Sequence, residues 1–207
     1  MKLSETIESL LAEYHDRPFP IGLLVTRTGE QGFGLISGLL TLPLIIPVPI
    51  PLAGLSTILG LGVIVNGLQL ANGKHEPYLP PFIARFELSP AFSQTVLKNL
   101  GRLLHPVERL ARTRLLNVSY SGSLRRFAGL CMAWCAVLMA LPLPIPFTNL
   151  IPAYTILFFA IGLLELDGLL FLMGFAMTGL TTVFFFSIGS LIWQLVMQAI
   201  GFVTSPF

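Results

Sequence analysis

Glu165 and Asp167 are the only charged residues after Arg126, and they bracket a single leucine beside long apolar stretches. If two carboxylates so placed are sheltered, they suit proton coupling, because desolvation raises a carboxyl pKa. They also sit in a Glu-Leu-Asp-Gly turn, where wet acids merely solvate a loop; both readings stay open. Asn66 and Gln69 are their uncharged counterparts earlier in the chain. Ser56 and Thr57, and then Thr148 and Asn149 with Tyr154 and Thr155 nearby, flank two proline-rich runs. Such groups either bind an ion or anionic headgroup beside exposed helix ends or simply cap those ends.

Other chemistry lacks material. His15, His75 and His105 lie far apart, so no metal-ligand spacing arises. Cys131 and Cys135 share a helix face at a spacing that suits neither a disulfide nor a zinc framework, and they read as small buried filler. No nucleophile elbow, phosphate loop or dinucleotide fingerprint occurs. The sequence predicts no catalytic residue, cofactor or metal.

The polar candidates are positioned by two oligoproline runs. The first holds Pro43, Pro47, Pro49 and Pro51, and the second Pro142, Pro144, Pro146 and Pro152. Each proline removes a backbone donor and resists a helix interior, so a helix entering either run must break. Sliding the chain on itself by about a hundred places sets Leu42-Pro43-Leu44 on Leu141-Pro142-Leu143 and Asn66-Gly67 on Asp167-Gly168. The halves read as copies of one unit: apolar arm, proline-rich elbow, apolar arm, polar-Gly turn. Paired interrupted segments of this kind point to a membrane-embedded site. Arms of about 14 residues rise only about 21 Å, less than a hydrocarbon core of about 30 Å. A re-entrant hairpin is therefore preferred over a tightly turned pair of tilted spanning helices. Irregular backbone at such depth needs protein or a wet cavity around it, so the two elbows are expected to meet.

Composition agrees with a bilayer. Of 207 residues, 54% are hydrophobic and 11% charged, against about 25% charged in soluble domains. Nine of the 12 Lys and Arg fall between Lys74 and Arg126, which puts that segment in the cytoplasm by the positive-inside rule. No cleaved signal peptide is evident at the start.

The predicted architecture is an all-α integral membrane protein in five parts. Residues 1–30 form an amphipathic or interfacial segment with a short helix over 3–16. Residues 31–72 and 127–168 are the membrane repeats. Residues 73–126 contain basic amphipathic helices, in which Lys98, Arg102, Arg109 and Arg112 oppose an oily stripe. That basic face suits anionic lipid, a partner protein or plain solvation, while nucleic-acid binding lacks interleaved aromatic residues. Residues 169–207 are too long for one straight span, which predicts two helices with a break near Thr181-Thr182 or Ser187–Ser190.

The chain resembles the ExoD family. The likeness is carried by Gln31-Gly32-Phe33-Gly34, by Leu42-Pro43 through Pro51, and by Gly54-Leu55-Ser56-Thr57-Ile58-Leu59-Gly60. It continues through Gln69-Leu70, Gly73 and Pro77-Tyr78-Leu79-Pro80. In the second half it is carried by Leu141-Pro142 through Pro152-Ala153 and by Gly162–Gly168. Leu52-Ala53 stands where a further proline is frequent, and Leu166 where a basic residue is common between the two acids. The resemblance implies a multi-pass bacterial inner-membrane protein linked to exopolysaccharide production and alkali tolerance, without implying a reaction. A looser architectural likeness to the DedA lipid translocators is analogy alone.

Two functions follow as expectations. One is a small transporter or lipid-carrier translocator, possible proton or ion coupling included, with a mid-membrane site at the elbows. The other is a non-transporting accessory that scaffolds polysaccharide-synthesis enzymes. Membrane lipids and a second copy of the chain, as a homodimer, are the expected partners.

Overall fold

Among the described residues, apolar runs cut by proline and glycine yield five α-helices: α1 (Gly32–Ile45), α2 (Ala53–Ala71), α3 (Gly122–Ala140), α4 (Leu150–Glu165) and α5 (Gly168–Thr204). This computed structural model describes residues 19–20, 28–45, 53–78, 87–88, 121–141 and 148–204. The predicted helix over 3–16, the basic segment with Lys98, Arg102, Arg109 and Arg112, and Pro47, Pro49, Pro51, Pro142, Pro144 and Pro146 lie outside the described residues. A 3-10 turn, Gly29–Gln31, leads into α1. One feature was not anticipated: β1 (Phe19–Pro20) pairs antiparallel with β2 (Glu87–Leu88), two residues each.

Helix ends follow local chemistry. Pro43 is inside α1, which stops two residues later, and Pro152 occupies the first turn of α4, where its missing N–H has no intrahelical acceptor to lose. α2 ends in a Schellman motif. Gly73 adopts φ +74, its N–H donates to Leu70 O at 2.9 Å, and Lys74 N–H donates to Gln69 O at 3.2 Å. α4 ends similarly but on a leucine: Leu166 has φ 53 and the Asp167 N–H reaches Gly162 O at 3.2 Å. Asp167 Oδ1 then accepts the Leu169 N–H at 2.9 Å and caps α5.

Two expectations fail here. Asn66-Gly67 is no turn but lies inside α2, which runs on to Ala71. No break interrupts α5, a single helix of 37 residues. No proline falls in it, and its hydroxyls bond back along the helix instead of redirecting the chain. Thr178 donates to Gly174 O, Thr181 to Met177 O, Thr182 to Thr178 O and Ser187 to Val183 O. At 1.5 Å per residue it is about 55 Å long.

The helices run alternately up and down. α1 packs along α4, with Gly34 against Ala160, Leu163 and Leu164, and α2 packs along α3, with Gly67 against Gly129 and Ala133. α5 lies against α4, where Gly174 makes room for the Phe159 ring. The shared core includes Phe33, Val63, Met132, Met139, Ile156, Phe159, Leu163 and Phe171. Phe159 meets Phe171 and Phe175 edge-on at 6.2 and 5.1 Å between centroids. Small residues at the seams bring backbones together, which is how helices gain dispersion energy where lipid is as apolar as leucine.

Each short helix thus has a base end (residues 32, 71, 122 and 165) and an elbow end (45, 53, 140 and 150). Among the described residues, two helices are long and apolar enough to cross a membrane: α3, and α5 over Gly168–Gln194.

Candidate functional site

At the elbow end, residues beside the two proline runs touch. Thr57 Oγ1, four residues into α2's first turns, donates to the carbonyl oxygen of Ala140, the last residue of α3, at 3.3 Å. One turn further, Gly60 lies close to Ala136 O and the Ala140 methyl. Ser56 and Thr148 are buried, while Thr57 and Asn149 are half-buried. Asn149 is the N-cap residue of α4 but makes no side-chain capping bond, having helical rather than extended backbone angles.

Asn66 works between helices. Its Nδ2 donates to Phe33 O at 2.8 Å and to Ser37 Oγ at 2.7 Å, tying α2 to α1 in a buried setting. Thr41, one turn further along α1, turns its hydroxyl back to Ser37 O at 2.8 Å. A second polar seam joins α5 to its neighbours: the Thr155 and Thr181 hydroxyls lie 3.0 Å apart, and Trp134 Nε1 donates to Thr182 at 3.0 Å. Cys131 and Cys135 are free thiols, both buried, with the Cys135 Sγ 3.9 Å from Thr178.

At the base, Gln31 Nε2 donates to Leu164 O at 2.8 Å, satisfying a carbonyl in the last turn of α4. Glu30 pairs with Arg125 in α3's first turn and with His75 Nδ1 at 2.8 Å. Burial acts to raise the Glu30 pKa, but hydrogen bonds and charge from His75 and Arg125 outweigh it and hold the carboxyl below its ordinary 4.5. Gln69 pins the loop after α2, accepting the Tyr78 N–H at 2.6 Å and donating to Tyr78 O at 3.1 Å.

The sequence-predicted polar residues are therefore distributed rather than gathered. Ser56, Thr57, Thr148 and Asn149 mark the elbow end, whereas Gln69, Glu165 and Asp167 mark the base, and Asn66 lies between. Asp167 is buried and Glu165 half-buried. The Glu30, Arg125 and His75 cluster escaped sequence reading, because its members lie 45 and 95 residues apart. Among the described residues no group of three His, Cys, Asp or Glu could hold a metal ion.

This arrangement defines a helical protein whose described residues include two membrane-length helices. Its polar groups serve mainly helix ends and seams. The chain belongs to the ExoD family: the family model described as "Exopolysaccharide synthesis, ExoD" matches residues 3–187. It is 33% identical to Protein ExoD of Rhizobium meliloti over 188 residues, covering 90% of this chain and 77% of that one. It is 31% identical over 141 residues to the uncharacterized protein slr1875 of Synechocystis sp., covering 68% of this chain and 65% of that one. No solved structure matches.

Proposed function

We propose that this protein is a multi-pass inner-membrane component of exopolysaccharide production that moves an ion or a lipid-linked precursor through a site where its two elbows meet. The contact between Thr57 and Ala140, flanking different elbows and 83 residues apart in sequence, carries this reading. The pattern of packing supports it. Exchanging the two hairpins turns the α1–α4 contact into the α3–α2 contact, as duplicated units around a shared site require. A homodimer would seal the elbows from lipid.

Reconstitution tests this directly. Proteoliposomes should translocate an ion or a fluorescent polyprenyl phosphate, and disulfide cross-linking of Thr57→Cys with Ala140→Cys, in a background lacking Cys131 and Cys135, should stop it. Intact protein that moves neither cargo would overturn the transport reading. The accessory reading is favoured by one observation: Val183, Phe186, Leu191 and Trp193 are exposed on α5, a surface that a synthesis enzyme can cover. Co-purification of a glycosyltransferase, lost on Phe186→Ser with Leu191→Ser, would select that reading instead.

A further inference from the structure

A cavity of about 280 Å³ opens at the base, lined by Glu30, Leu70, Gly73, Lys74, His75, Gly122, Arg125 and Arg126. Its walls come from the end of α2, the loop after it and the start of α3. Among the described residues that line it, Lys74, Arg125 and Arg126 are basic and Glu30 is the one acid, so this lining carries a surplus of positive charge. Glu30 pairs with Arg125 and His75, whereas Lys74 lies over the Tyr78 ring, at 5.5 Å, and makes no ion pair among the described residues. The Arg126 guanidinium is set against Gly73. A Cβ at Gly73 would stand 2.8 Å from Arg126 Nε and Nη2, so only glycine leaves that group where it is.

Two further features select the occupant. The cavity sits where α3, a membrane-length helix, begins, and Arg126 is the last basic residue of the chain. By the positive-inside rule, that sets the cations at headgroup depth on the cytoplasmic side. The volume, just under the roughly 300–1,000 Å³ typical of sites for drug-sized ligands, is ample for a phosphate group, and the charge of its lining selects an anion. Guanidinium and ammonium groups recognise phosphate oxygens by short charge-assisted hydrogen bonds. Gly122 adds an open approach, since nothing lies within 4 Å of where its Cβ would be.

We infer that this cavity binds a phosphate monoester group through Lys74 and Arg126, with Glu30 acting as a built-in competitor that holds Arg125 until the anion enters. The site is separate from the elbows, and its occupancy does not depend on transport. The same chemistry is offered by an anionic lipid headgroup and by free phosphate.

The test uses the purified full chain in detergent, with unfolding followed by exposure of Cys131 and Cys135 to a fluorogenic thiol probe. Inorganic phosphate, dioctanoyl phosphatidic acid and dioctanoyl phosphatidylcholine are titrated separately. Saturable stabilisation by phosphatidic acid is expected, with phosphatidylcholine much weaker. A matching response to inorganic phosphate assigns the ligand to solution, and its absence assigns it to the bilayer. Lys74→Gln and Arg126→Gln should each weaken binding about tenfold, while Glu30→Gln should tighten it several-fold by releasing Arg125. Arg126→Lys keeps the charge and should fall between wild type and Arg126→Gln if the glutamine variants fold poorly. Equal responses to phosphatidic acid and phosphatidylcholine, no saturable response at all, or Glu30→Gln binding no tighter than wild type would overturn the inference.

Discussion

The seam between α2 and α3 makes a quantitative claim about Gly129. A Cβ there would lie 2.6 Å from Ala71 N and Gly67 O and 3.0 Å from Leu70 Cβ. The first two obstacles are backbone, which cannot swing aside as a side chain does. Relative to ordinary contact beginning at 3.4 Å, Gly129→Ala asks the helices to part by about 0.8 Å, a gap that forfeits a quarter to a half of each contact's attraction. Overpacking of this kind costs about 1–3 kcal/mol, and the rigidity of the obstacle puts it near the top of that range. Alanine returns about 1 kcal/mol through its higher helix propensity. The net loss is about 1–2 kcal/mol, which for a chain of this size lowers Tm by about 2–8 °C. Gly179→Ala in α5, with nothing within 4 Å, supplies the control and should leave Tm unchanged or raise it. The buried thiols Cys131 and Cys135 report the melt through a fluorogenic reagent. If Gly129→Ala melts at or above Gly179→Ala, the close approach of α2 and α3 is refuted.

Other outcomes follow from the same geometry. Asn66→Leu removes two buried hydrogen bonds between α1 and α2 and should cost about 1–2 kcal/mol, membrane hydrogen bonds averaging about 0.6 kcal/mol each, as read by the same melt. Glu30 has a folded pKa depressed below 4.5, so its stabilisation is fully present above that value and fades as pH falls through the folded pKa. Its side chain is 44% exposed, so screening keeps the effect under about 1 kcal/mol. Glu30→Gln should flatten that acid limb of a Tm-against-pH curve. Gly73→Ala, with φ +74 and the Arg126 guanidinium in its way, should lower Tm by several degrees and speed proteolysis of the 73–78 loop, since a left-handed Cβ costs about 1–2 kcal/mol.

The all-helical character was legible because proline and hydropathy act locally. Arms entering and leaving an oligoproline run announce themselves within a dozen residues. The helix limits at Ile45, Ala140 and Leu150 follow from those runs, and the Asn72-Gly73 end of α2 from glycine's tolerance of positive φ. Asn66 misled because a polar residue in an apolar run looks like a turn. Only its acceptors on α1, Phe33 O and Ser37, make it a helix-interior residue. Leu166 gives no local signal of left-handed geometry, since leucine disfavours it and the packing of α4 on α5 imposes it. α5 stays unbroken because its threonines and serines satisfy themselves along the helix, whereas length alone argued for a break. Pairings such as Glu30 with Arg125 depend on the whole topology, and no spacing in the chain reveals them.

The two helix pairs are fastened at both ends. Near the base they are joined by Gln31 to the end of α4 and by Glu30 to Arg125, and toward the other end by the 3.3 Å bond from Thr57 to Ala140. Glu30 and Gln31 are neighbours in the turn before α1, so one short turn clasps α3 and α4 at once and anchors the start of the first pair to both helices of the second.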